Sequence, residues 1–217
     1  MMGPWEQIVQ RQLFSLRKSD LYDKTDSITL GIAGCLQSWE QKVRNCLHGD
    51  KIIFPQAPSL LAEYEWPTLQ RLYAHAQTED CRILYMHTKG VSKIGNKDVP
   101  IENQLSAHRS ALNLEYANIH RHQDCLKQLE THDIAAKTWN PRTPCPHCPG
   151  NFWWTNSDYI KKLQHPTTHE NRYGAEFWVG TGEPTAWDFG KLPIIYDTYL
   201  PEKYWKTIFN GIFQDMI

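Results

Sequence analysis

Apolar residues fall at helical spacing at both ends of the chain and at strand-like density between them. Trp5, Ile8, Val9, Leu13 and Leu16 lie on one face of a predicted helix from Trp5 to Leu16. Ser27 to Ala33 reads as a first strand, Gln37 to Leu47 as an amphipathic helix, and Lys51 to Phe54 as a short strand stopped by Pro55. Pro67 opens a helix through Ala76, because proline suits the first turn. The run Arg82-Ile83-Leu84-Tyr85-Met86 is a buried-type strand, and it ends abruptly in His87-Thr88-Lys89-Gly90. A polar loop follows, and Pro100 starts a long helical region to about Glu130 with a break near His122. Asp133 to Thr138 is a further strand, and Asn140 to Pro149 is loop. Phe152 to Thr155 is extended, and Asn156 caps a helix through Leu163. Pro201 to Phe213 is again amphipathic helix.

Strands alternate with helices through most of the chain, which predicts an α/β fold. The expected architecture is one domain with a central, mainly parallel but mixed twisted sheet and helices on both faces. No internal repeat or linker divides residues 1–217. The length suits one large domain with a real core.

Composition narrows the function. The net charge is -1, which gives no footprint for duplex nucleic acid. No apolar stretch approaches a membrane span, and the first residues lack a signal-peptide pattern, so the expected location is the cytoplasm. Cys35, Cys46, Cys81 and Cys125 sit within or beside apolar patterns, so the six cysteines are expected as thiols. Nine tryptophans and ten tyrosines exceed what the core requires, and flat rings pack well against sugars or bases.

Two segments carry candidate chemistry. In His87-Thr88-Lys89-Gly90, Lys89 supplies a point charge and Thr88 a hydroxyl for a diphosphate. His87 could ligate a divalent cation or donate to a phosphate oxygen, and Gly90 would let backbone approach the ligand. The plain alternative is a solvated turn at the end of a strand. In Gly150-Asn151-Phe152-Trp153-Trp154, the adjacent tryptophans point to opposite faces, so one is expected to be free to stack on a sugar. Asn151 would hydrogen-bond hydroxyl groups. The alternative is that both rings fill the gap between sheet and helix. Glu176, among Ala175, Phe177 and Trp178, is either a base touching an acceptor hydroxyl or the partner of Arg172. Cys145-x-x-Cys148 with His165-x-x-x-His169 imitates a zinc finger. Its Cys-to-His gap is longer than usual and contains the tryptophan pair.

Taken in order, Tyr64-Glu65-x-Pro67-Thr68-Leu69, Ile83 to Ser92, His147-x-x-Gly150-Asn151-Phe152-Trp153-Trp154 and Glu176-x-Trp178 resemble a group of small GT-A-type glycosyltransferases. The group occurs in bacterial polysaccharide clusters and in large DNA viruses, including enzymes that glycosylate a capsid protein. The resemblance runs from about Ser27 to Trp178. It implies a GT-A-like fold, with a nucleotide-binding part over about residues 25–100 and an acceptor-side part over about residues 130–190. It implies transfer from a nucleotide-diphosphate donor, most often a UDP-sugar, to a glycan or glycoprotein acceptor, usually with Mn2+ or Mg2+. For a viral member the working place is the host cytoplasm. In this family the strand typically ends in an Asp-x-Asp metal motif, whereas this chain has His87-Thr88-Lys89. His87 is then the expected metal ligand, His87, Thr88, Lys89 and Gly90 the donor site, Asn151, Trp153 and Trp154 the sugar site, and Glu176 the catalytic group. The alternatives are a hydrolase using the same pocket, a non-catalytic carbohydrate-binding or scaffold protein, and a zinc-binding adaptor.

Overall fold

The structure is a computed structural model that describes residues 4–34, 39–142, 145–167 and 173–191. Helix α1 (Trp5–Lys18) is followed by the short α2 (Leu21–Lys24), strand β1 (Ile28–Thr29), α3 (Trp39–Cys46) and β2 (Ile52–Ile53). Helix α4 (Trp66–Thr78) carries Pro67 in its first turn and leads into β3 (Arg82–Tyr85). The long helical region divides as predicted, into α5 (Ile101–Glu115), a π-helical turn over Tyr116–His120, and α6 (His122–Gln128). Strands β4 (Ile134–Ala136) and β5 (Trp153–Asn156), helices α7 (Ser157–Ile160) and α8 (Gly174–Phe177), and strand β6 (Ala186–Asp188) complete the described chain. No described helix is long and apolar enough to cross a membrane. The helix predicted over Pro201 to Phe213 lies outside the described residues.

The fold is α/β with two small sheets, one parallel and one mixed, rather than one central sheet. β1 and β2 pair in parallel, and a bridge between Ala33 and Ser59 continues that ladder. The larger sheet has the order β3-β5-β4-β6. β3, β4 and β6 run in one direction, and only β5 is reversed. Because β5 lies between β3 and β4, two of the three ladders are antiparallel, so the expected mainly parallel pairing does not hold in this sheet.

Alternation along the strands builds two cores. In register, Tyr85, Trp153 and Ala136 face the layer containing Trp66 and Leu69 of α4 and Ile160 of α7. Leu84, Trp154 and Ala135 face the other layer, with Leu13 and Leu16 of α1 and Cys125 of α6. Helices therefore cover both faces of the four-stranded sheet. Asn156 stands at the start of α7, but its side-chain amide donates to the Leu129 carbonyl (3.1 Å) instead of capping.

One polar contact ties α1 to α5. The Arg11 guanidinium donates to both oxygens of Glu115 (3.0 and 2.6 Å), and both side chains are almost wholly buried. The periodicity of α1 gave no sign of a buried arginine there. Arg11 precedes Gln12, whose amide holds the His87 carbonyl (2.8 Å), so this pair anchors the end of β3 as well.

Candidate functional site

A cleft of about 1670 Å³ opens between the β1 segment and β3. Its walls include Thr29, Arg71, His87, Thr88, Lys89 and Glu176. Strand β3 delivers the His87–Gly90 turn to this space, as open α/β sheets commonly deliver ligand-binding residues. Gly90 has φ 88°, and the amides of Lys93 and Ile94 both donate to its carbonyl (2.9 Å each), so its immediate task is to close that turn. Lys89 has no hydrogen-bond or ion-pair partner for its ammonium among the described residues.

The hub of the site is Glu65, the residue before α4. Its backbone carbonyl starts the helix by accepting from the amides of Thr68 and Leu69 (3.0 and 3.1 Å). Its carboxylate faces the end of the sheet. Oε2 accepts from the Tyr85 hydroxyl (2.9 Å) and the Asn151 amide (2.5 Å), and Oε1 lies 3.2 Å from His87 Nδ1. His87 Nε2 in turn meets the Gly150 carbonyl (2.9 Å), and the Gly150 amide donates to Glu176 Oε1 (2.5 Å). A single polar network thus joins the start of α4, the end of β3, the entry to β5 and α8. Burial and the Glu65 carboxylate hold the Tyr85 hydroxyl well above its usual range, so it remains a donor.

Of the residues expected from the sequence, His87, Thr88, Lys89, Gly90, Asn151, Trp154 and Glu176 border this cleft, and Trp153 does not. The sugar platform does not form. Trp153 is fully buried, stacks on Tyr85 (centroids 4.9 Å apart) and donates to Asn151 Oδ1 (2.7 Å). Trp154 is buried in the opposite layer and donates to the Asn118 carbonyl (2.8 Å). Both rings therefore fill the space between sheet and helices, because β5 is a central strand covered on both faces. Asn151 is buried too, and its amide is spent on Glu65 and Trp153. Asn151 borders the cleft but is nearly fully buried, and Trp153 stands behind it with no exposed surface. Aromatic surface at the cleft comes instead from Tyr64 and Tyr173, 42 % and 54 % exposed. The sequence assigned Glu65 no role; an acid directly before a proline-led helix was the available signal.

The donor set does not fit the Mn2+ or Mg2+ that the resemblance implies. Both ring nitrogens of His87 face protein acceptors, so a cation would have to displace one of those contacts. Asp188 is committed to the amides of Trp139 (3.2 Å) and Gly190 (2.9 Å). Among the described residues no group of three or more His, Cys, Asp or Glu gathers as a metal site. The zinc-finger imitation fails similarly. Cys145 is exposed, while Cys148 is buried with its thiol pushed far up by burial, and His165 packs edge-on against Tyr73. His169 and Arg172, the expected partner of Glu176, lie outside the described residues.

No curated protein and no solved structure matches the chain. A family model described as a domain of unknown function, DUF8361, matches residues 4–188. That span takes in every helix and strand described, from α1 to β6, together with the Glu65 network. The chain belongs to the DUF8361 family.

Proposed function

We propose that this chain is a glycosyltransferase that moves a sugar from a UDP-sugar to a glycan acceptor. The observation that carries the reading is the meeting at one cleft of a carboxylate and a lysine with no partner among the described residues, on a turn held by a shared polar network. Lys89 offsets the charge that builds on the departing diphosphate, the main electrostatic demand of such a transfer. Glu176 Oε1 is occupied by the Gly150 amide, and Oε2 has no hydrogen-bond partner among the described residues. For a transfer with inversion, Oε2 takes the proton of the acceptor hydroxyl while its oxygen attacks the anomeric carbon. The bond from that carbon to the diphosphate breaks, and its electrons leave with the diphosphate. His87 and Glu65 position the turn and stay outside the chemistry. No step is routed through a metal, because the side chains around His87 are already paired with one another.

Thermal unfolding with UDP, GDP, CMP or ADP, each with and without Mn2+, tests this reading. UDP is expected to raise the midpoint with or without Mn2+. Lys89→Ala should weaken UDP binding about tenfold, as loss of a charged contact does, without lowering the ligand-free midpoint. If none of the nucleotides moves the transition, the proposal fails. A second reading, a non-catalytic glycan-binding protein, is favoured by the internal pairing of His87 and the unmet metal set. It predicts glycan binding indifferent to UDP.

A further inference from the structure

β3 and β4 run in the same direction, so both end on the same edge of the sheet. β3 leads to Thr88-Lys89, and β4 leads to Lys137-Thr138. One ammonium beside one hydroxyl is therefore delivered twice to the edge where such sheets take ligands. The second pair opens on a separate hollow of about 440 Å³, large enough for a single sugar unit. Ser106, Arg109, Ser110 and Asn113, which share a face of α5, line it with Lys137 and Thr138. Ser106 and Ser110 also line the main cleft, so the two spaces adjoin. The partition is thin. A Cβ placed on Gly150 would lie 2.6 Å from Leu114 Cδ1 and 3.6 Å from Lys89 Cε, and Leu114 lines the hollow.

The hollow is short of negative charge. Arg109 is exposed and has no ion-pair or hydrogen-bond partner among the described residues. Lys137 is half-buried; burial pushes its ammonium below the usual range, and Asp188 opposes this only in part. Glu102, in the first turn of α5, is the one acid among the described residues that line the space. Lys137 donates to the Thr138 hydroxyl (3.4 Å), and an anion here would join that pair and match the planar fork of Arg109. We propose that this hollow binds an oxyanion on the acceptor, the carboxylate of a uronic acid or the phosphate of a phosphorylated sugar, and so selects acidic glycans. That the anion belongs to an acceptor rests on the transferase reading above; that the hollow takes an oxyanion does not.

The test titrates glucuronate and glucose 6-phosphate, with glucose as the neutral control, into the isotope-labelled full chain. The amides of Arg109, Lys137 and Thr138 report binding. The acids should shift them saturably and less at high salt, and glucose should not. Arg109→Ala and Lys137→Met should each weaken the response about tenfold, the usual scale of a charge-assisted contact, and spare UDP binding. Arg109 is exposed, so its variant carries the test if Lys137→Met fails to fold. Response to only one of the acids supports the proposal and names the anion. An equal response to glucose, or full affinity in the Arg109 variant, overturns it. If the acids bind but UDP does not stabilise the wild type, the transferase reading falls and the hollow stands. If UDP binds and the acids do not, the hollow alone falls.

Discussion

Glu65 receives three side chains from two segments, the end of β3 and the entry to β5, and that convergence explains why the expected roles around it were redistributed. Asn151 and His87 are polar residues at the end of strands, a pattern equally suited to ligand contact and to internal pairing. Which applies depends on what lies across the gap, and across the gap lies an acid 22 residues before His87 in sequence. Replacing Glu65 by Leu keeps most of the volume but removes both carboxylate oxygens. Such a change leaves the Asn151 amide and the Tyr85 hydroxyl without an acceptor. Urea unfolding should show a loss of about 1–3 kcal/mol, the usual scale for unsatisfied buried donors. An unchanged midpoint would mean that the network contributes nothing to the fold.

At the scale of elements, periodicity located most helices and strands, including the break between α5 and α6, because each carries an apolar face of the matching repeat. It could not orient them. β5 is fully buried at Trp153 and Trp154 because it is central, and its reversed direction brings its entry, not its exit, to the edge where β3 ends. That geometry sets the Gly150 turn beside His87. β6 was not among the predicted strands, since Ala186-Trp187-Asp188 carries no β-branched residue and follows the Gly- and Pro-bearing run at 180–185. The same turn yields a prediction. Gly150 has φ 89°, and a Cβ there would come within 2.6 Å of Leu114 Cδ1. Gly150→Ala should cost about 1–3 kcal/mol in chemical denaturation through backbone strain and crowding. It should also weaken UDP binding, because the Gly150 carbonyl and amide link His87 to Glu176. Stability equal to wild type would show that the turn relaxes freely.

For the molecule as a whole, the buried Arg11–Glu115 pair links stability to pH through its neighbour His108. Burial first, and the Arg11 guanidinium second, push His108 from 6.5 down to about 4. Between those values the unfolded chain binds a proton that the folded chain refuses. Stability from this group is therefore complete above pH 6.5 and declines as pH falls toward 4, by up to about 3 kcal/mol. Burial raises the Glu115 carboxyl although Arg11 opposes it, and a raised carboxyl acts in the other sense, favouring the fold at lower pH. Comparing wild type with His108→Asn separates the two. The wild type should lose stability relative to the variant across that window, and parallel curves would refute the assignment. The sequence by itself determined the α/β class, most of the elements and the segment that reaches the cleft, since these follow from local periodicity and from abrupt changes of polarity. Only the tertiary structure decided strand direction, which tryptophan faces are covered, and that His87 is held by Glu65 and Gly150. Those outcomes depend on contacts between residues distant in the chain, about which a one-dimensional pattern carries no geometry.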